Sequence, residues 1–168
     1  MLTIRPSTPN EIPRQKELWK KCFGDPAPYI DFFYDKVCPA GQVMVAEADG
    51  TIASMAALLP ATLRTPEGEA LPVSYLYALA TDPDLQGRGH ARELLQAADQ
   101  HLLDQGYKAM ALVPASPSLH KFFAATGMDE CFAHRKSEFW PPLSPETPGA
   151  GPSPPSARRS TTPSGRLT

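Results

Sequence analysis

Ala80-Thr81-Asp82-Pro83-Asp84-Leu85-Gln86-Gly87-Arg88-Gly89-His90-Ala91 joins a strand-like apolar run, Glu69 to Ala80, to a stretch of helical period, Ala91, Leu94, Leu95, Ala98 and Leu102. Gly87 and Gly89 let successive backbone N–H groups converge, and the start of the helix adds unpaired donors and the positive end of its dipole. Such a turn suits a pyrophosphate. Arg88 places a fixed positive charge in it. A dinucleotide fingerprint would need glycine where Arg92 stands, and no GK[ST] run exists for a P-loop.

The elements on either side of that junction follow from period and punctuation. Upstream, Leu2 to Arg5 alternates as a short strand that stops at Pro6, and Pro9 to Phe23 is helical up to Gly24. Ile30, Phe33, Tyr34 and Val37 share one helical face and are expected in the core, with Tyr29, Phe32 and Lys36 on the other side as a conceivable pocket wall. Gln42 to Ala48 and Thr51 to Thr65 are strands around the hairpin signal Asp49-Gly50. A second turn, Thr65 to Gly68, leads into the strand before the glycines. Downstream, Gln105-Gly106 closes the long helix, and Tyr107 to Val113 reads as a buried strand. Ser116-Pro117, a hydroxyl cap followed by proline, opens a helix through Ala125 that ends at Gly127, and Cys131 to Trp140 reads as a last strand. The order predicts an α+β, or mixed α/β, domain over residues 1–140.

Composition changes after Trp140. Eight Pro, five Ser, four Thr and three Gly make up 20 of the last 28 residues, so 141–168 is expected to be a flexible tail unable to bury a core. A net charge of −2 gives no general field for nucleic acid, and no apolar run is long enough to span a bilayer. Three cysteines, Cys22, Cys38 and Cys131, are widely spaced with no CxxC pair. A reduced cytoplasmic chain without a metal, a nucleic acid or a membrane partner is the expectation.

The run Gln86-Gly87-Arg88-Gly89-His90-Ala91 resembles the [RQ]-x-x-G-x-[GA] signature of the GNAT superfamily of acyl-CoA N-acyltransferases. Ser116 to Met128 is similar to that superfamily's later helix, usually written with Asn at its start, an aromatic pair and then Gly-Phe, here Phe122-Phe123 and Gly127-Met128. The likeness covers roughly residues 2–140, and the N-terminal pattern with Ala-Thr-Asp-Pro is most similar to the larger bacterial branch related to the enhanced-intracellular-survival proteins. It implies a central, mostly antiparallel twisted sheet flanked by helices, acetyl-CoA as cosubstrate, and transfer to the amine of a small molecule or peptide, with a homodimer allowed. Backbone groups of Leu79 and Thr81 would hold the pantetheine arm, and Gln86, Gly87, Arg88, Gly89, His90 and Ala91 the pyrophosphate. Ser116 stands where the family has Asn, and Phe123 where many relatives have a tyrosine that protonates the leaving sulfur.

The resemblance implies direct attack by the amine in a ternary complex, with a backbone N–H near Leu79 stabilising the oxyanion. An amine with a lysine-like pKa is neutral only about once in a thousand molecules at pH 7, so a base or water relay is wanted. No carboxylate lies on Ser74 to Ala80; the candidates are Glu47, Tyr75, Tyr77 and His120. A catalytically silent acyl-CoA-binding module is the competing expectation.

Overall fold

The computed structural model describes residues 1–38 and 41–132. Residues 133–140 of the expected last strand and the whole of 141–168 lie outside the described residues.

Five strands, β1 (Leu2–Pro6), β2 (Val43–Ala48), β3 (Thr51–Arg64), β4 (Ala70–Thr81) and β5 (Ala109–Ala111), form one sheet in the order β1-β2-β3-β4-β5. Pairs from β1 to β4 are antiparallel, and β4 and β5 run parallel. The β2–β3 turn has positive φ at both Asp49 (49°) and Gly50 (80°), the geometry that matches strand twist in a two-residue hairpin. Four helices complete the α+β fold: α1 (Ile12–Phe23), α2 (Ala27–Phe32), α3 (His90–Asp104) and α4 (Pro117–Ala124). Helix α1 stops where Gly24 turns left-handed, φ 74°, and returns its N–H to the Lys20 carbonyl at 3.0 Å.

Alternation along the strands builds a core on each face of the sheet. Val43, Val45, Met55 and Ala57 face Leu18, Trp19, Ile30 and Phe33 from α1 and α2 and their continuation. Met44, Ala46, Ala56 and Leu58 face Leu94, Leu95, Ala98 and Leu102 of α3, with Phe123 of α4. Leu94 is wholly buried, so Leu94→Ala would cost about 3 kcal/mol.

Three local expectations are corrected. Val37 is 42% exposed although Ile30, Phe33 and Tyr34 are buried, because the chain passes from α2 into a π-helical turn over Phe33–Val37. Its extra residue per turn, closed by the Cys38 N–H on the Phe33 carbonyl at 2.9 Å, swings Val37 off the core-facing stripe. Strand β5 has three residues and is only partly buried, because its ladder with β4 is confined to Val73–Tyr75. Ser116 does not cap α4 with its side chain; its Oγ pairs with Ser118 Oγ at 2.9 Å.

Candidate functional site

The site begins with a slip in register. Met55 on β3 lies opposite Ala80, but Ala57 lies opposite Tyr77, so β4 uses three residue steps where β3 uses two. The surplus residue is taken up around Ala78, whose φ of 50° is left-handed without the freedom of glycine. The β4–β5 ladder ends just short of this bulge, at Tyr75 and Ala111. The two strands part and leave a wedge of about 260 Å³.

Tyr75 to Leu79 form one wall of the wedge and Leu112 to Ala115 the other, with Leu119 and Phe123 of α4 and Trp19, Phe23 and Asp25 closing its ends. The β4 backbone groups turned toward the opening have no ladder partner from β5 past Tyr75. Phe123 is buried and packs edge-on against Phe122 with centroids 5.1 Å apart.

The loop from β4 to α3 is pinned by charge. Asp82, with its side chain 7% exposed, receives Lys21 Nζ at 2.6 Å and Arg14 Nη2 at 2.7 Å, and accepts the Asp84 N–H at 3.1 Å. Lys21 also reaches Asp84 at 2.7 Å. The hydrogen bond from Lys21, seconded by that from Arg14, outweighs burial and holds the Asp82 carboxyl down at about 2. Both cations come from α1, so this cluster fixes the helix to the end of β4. Its members stand 61 and 68 residues apart, so no local pattern marks it.

Gly87 and Gly89 follow with φ of 76° and 85°. A Cβ on Gly87 would meet no atom within 4 Å, and one on Gly89 only Glu93 Oε1 at 3.8 Å, so backbone conformation is what demands glycine here. Gly89 is the cap of α3, and the first N–H groups of that helix are free of intrahelical partners. Arg88 is exposed and forms no ion pair among the described residues, while His90 Nδ1 is buried without a partner. Gln86 Nε2 turns inward to the Thr81 carbonyl at 3.2 Å, an oxygen that also accepts Cys22 Sγ at 3.3 Å. Thr81 Oγ1 is paired with Ser54 Oγ at 2.6 Å.

Leu79, Tyr77, Tyr75 and Phe123 therefore share the wedge, whereas Glu47 and His120 do not line it. Glu47 Oε2 is held by Arg5 at 2.7 Å, and Arg5 is bound at the same distance by Glu11. His120 Nδ1 is paired with Glu130 at 2.6 Å on the surface. The Tyr77 hydroxyl meets that of Tyr29 at 2.8 Å, a contact that, with burial, pushes its ionisation up to about 12. Its ring packs against Trp19 and Phe33 at 5.8 and 5.6 Å. Next to the wedge lies a second cavity, of about 220 Å³, that shares Tyr75 and Tyr77 with it and includes Tyr29 and Phe32.

Residues 3–124 match the acetyltransferase (GNAT) domain family. The chain belongs to the GNAT family. No curated protein matches it in sequence. Among solved structures, this GNAT chain is similar to a GCN5-related N-acetyltransferase from Anabaena variabilis, with TM-score 0.66 and 18% identity over 73% of its own length and 31% of the other's. It thus spans about a third of that protein. The aminoglycoside N-acetyltransferase AAC(6')-Iy in complex with CoA has TM-score 0.66 and 22% identity, covering 81% of this chain and 95% of that one. Glucosamine-6-phosphate N-acetyltransferase from Arabidopsis thaliana has TM-score 0.62 and 15% identity, covering 83% and 99%. At such identities the GNAT fold is what they share with it.

Proposed function

We propose that this chain transfers an acetyl group from acetyl-CoA to a primary amine of a small molecule or peptide, by direct attack within a ternary complex. The observation that carries this reading is the parting of β4 from β5 past Tyr75, next to the Ala78 bulge and a left-handed glycine turn that opens a helix. A free strand edge suits the amides of a pantetheine arm, and Leu79 is the residue assigned to both that arm and the oxyanion. Gly87, Arg88, Gly89, His90 and Ala91 would take the pyrophosphate, on helix donors and one fixed cation. Gln86 would join them, and its Nε2 on the Thr81 carbonyl at 3.2 Å holds the turn in shape, with backbone groups of Thr81 beside Leu79 assigned to the pantetheine arm. Coenzyme A is also the ligand of the AAC(6')-Iy structure.

Bound acetyl-CoA supplies an activated thioester. The chain's contribution is orientation, an oxyanion donor, and control of the proton shed by the amine. Tyr77 lines the wedge and, protonated at neutral pH as an ordinary phenol is, would serve as a hydrogen-bond donor to a departing thiolate.

The competing reading, a silent acyl-CoA-binding module, draws on Phe123, which has no proton to give, and on Glu47 and His120 standing outside the wedge. Free thiol release on adding amines to the chain and acetyl-CoA separates the two. Transfer requires amine-dependent thiol; acetyl-CoA binding with no thiol from any amine assigns the silent module.

A further inference from the structure

The second cavity differs in chemistry from the wedge it adjoins. Tyr29, Phe32, Val37, Leu59, Tyr75 and Tyr77 line it, together with Phe33, and no carboxylate, ammonium, guanidinium or amide side chain is among them. Its polar side-chain atoms are phenol oxygens, of which two are already paired across the 2.8 Å Tyr29–Tyr77 contact. Phe32, Tyr29 and Val37 are 57, 44 and 42% exposed, a concentration of open apolar surface. Val37 is there because the π-helical turn rotates it out, and such turns recur at functional sites. The rings of Tyr75 and Tyr77 lie nearly parallel, 28° apart with centroids at 6.3 Å.

We infer that this cavity receives the body of the acceptor, and that the acceptor is an arylalkylamine, a primary amine on a short chain bearing an aromatic ring. The inference rests on the transferase reading and names its substrate class. An aromatic body gains both apolar burial and ring contacts from this lining. A polycation gains neither, since ammonium groups seated in the cavity would lose water with no carboxylate in its lining. The cavity shares Tyr75 and Tyr77 with the wedge, so an acceptor body seated in it has the wedge beside it for its amine end.

In the reaction the N–C bond forms as the C–S bond breaks, and the proton lost by nitrogen leaves with the CoA thiol. No oxidant or metal is called for in that balance.

The test uses the full chain with acetyl-CoA and 2-phenylethylamine, spermidine or kanamycin, following thiol release. The expected result is a kcat/KM for 2-phenylethylamine at least about tenfold above the other two. Phe32→Ala should raise the KM for 2-phenylethylamine about tenfold while the KM for acetyl-CoA stays within about twofold. Val37→Asp should move the preference toward spermidine. Highest efficiency with spermidine or kanamycin, or an unaltered KM in Phe32→Ala, overturns the assignment while leaving acetyl transfer standing. Calorimetric titration of 2-phenylethylamine into the chain reads the cavity independently of turnover. Binding that Phe32→Ala weakens, with no thiol release from any amine, supports the cavity assignment and removes the transferase reading; no binding and no turnover removes both.

Discussion

The hydroxyl of Tyr29 lies 2.8 Å from that of Tyr77, tying α2 to β4 at the boundary between the wedge and the aromatic cavity. The contact is the leading cause of the raised ionisation of Tyr77. Tyr29→Phe should therefore lower the Tyr77 titration from about 12 toward the ordinary phenol range, seen as tyrosinate absorbance appearing at lower pH. Tyr77→Phe should reduce kcat roughly tenfold and leave acetyl-CoA affinity within a few-fold, since a donor to the leaving group acts mainly in the transition state.

Phe123 lines the same wedge from α4. Phe123→Tyr would restore an acid near the departing sulfur and should raise turnover with any accepted amine, most visibly at low pH, without a large change in acetyl-CoA affinity. An active wild type that gains nothing would mean that Tyr77 or water already supplies the proton.

Gly89 and Gly68 both have left-handed φ, 85° and 91°, but only Gly89 opens α3. Valine at either position should cost about 1–2 kcal/mol in chemical denaturation. Only Gly89→Val should also weaken acetyl-CoA binding by more than about tenfold in calorimetry, because it alone sits in the turn assigned to the pyrophosphate.

Asp82 carries a pH signature. Its carboxyl titrates near 2 in the folded chain, below the ordinary aspartate value, so its ion pairs contribute fully above about pH 4 and are lost as pH falls through about 2. Asp82→Asn should lower stability by about 2 kcal/mol at neutral pH, a moderate figure because Lys21 and Arg14 are 41 and 30% exposed. The difference in melting temperature between wild type and variant should be flat above pH 5 and close below pH 4.

Gln15 is wholly buried on α1, and neither atom of its amide has a hydrogen-bond partner among the described residues. Gln15→Leu should stabilise the chain by about 1 kcal/mol in denaturant unfolding, because it removes two unpaired polar atoms at nearly constant volume.

The parts of this fold that were legible in the sequence are those written in short-range chemistry. Asp49-Gly50 specifies a hairpin by itself, Leu94, Leu95, Ala98 and Leu102 declare the buried face of α3, and Gly87 and Gly89 mark a turn that needs positive φ. Ala78 gave no sign, since alanine is not a residue chosen for left-handed backbone; the bulge is imposed by the pairing of two long strands. Val37 was misjudged for a related reason, because a uniform helical period cannot register a π-helical turn. The Arg14–Lys21–Asp82 cluster joins positions 61 and 68 residues apart, and only tertiary packing brings them together. Glu47 and His120 were chosen for their titratable groups, and in the fold each is committed to a charged neighbour outside the wedge.

The early end of the β4–β5 ladder has a thermodynamic consequence. Past Tyr75 the edge of β4 has no ladder partner from β5, the kind of surface on which another extended chain can pair. A cosubstrate arm that pairs with that edge binds the folded chain and not the unfolded one, adding about 2.7 kcal/mol at a hundredfold excess over its Kd. Melting temperature, amide exchange at residues 76–79 and resistance to aggregation should then all rise with acetyl-CoA concentration. The shelf life of the purified chain would be a titration curve of its own substrate.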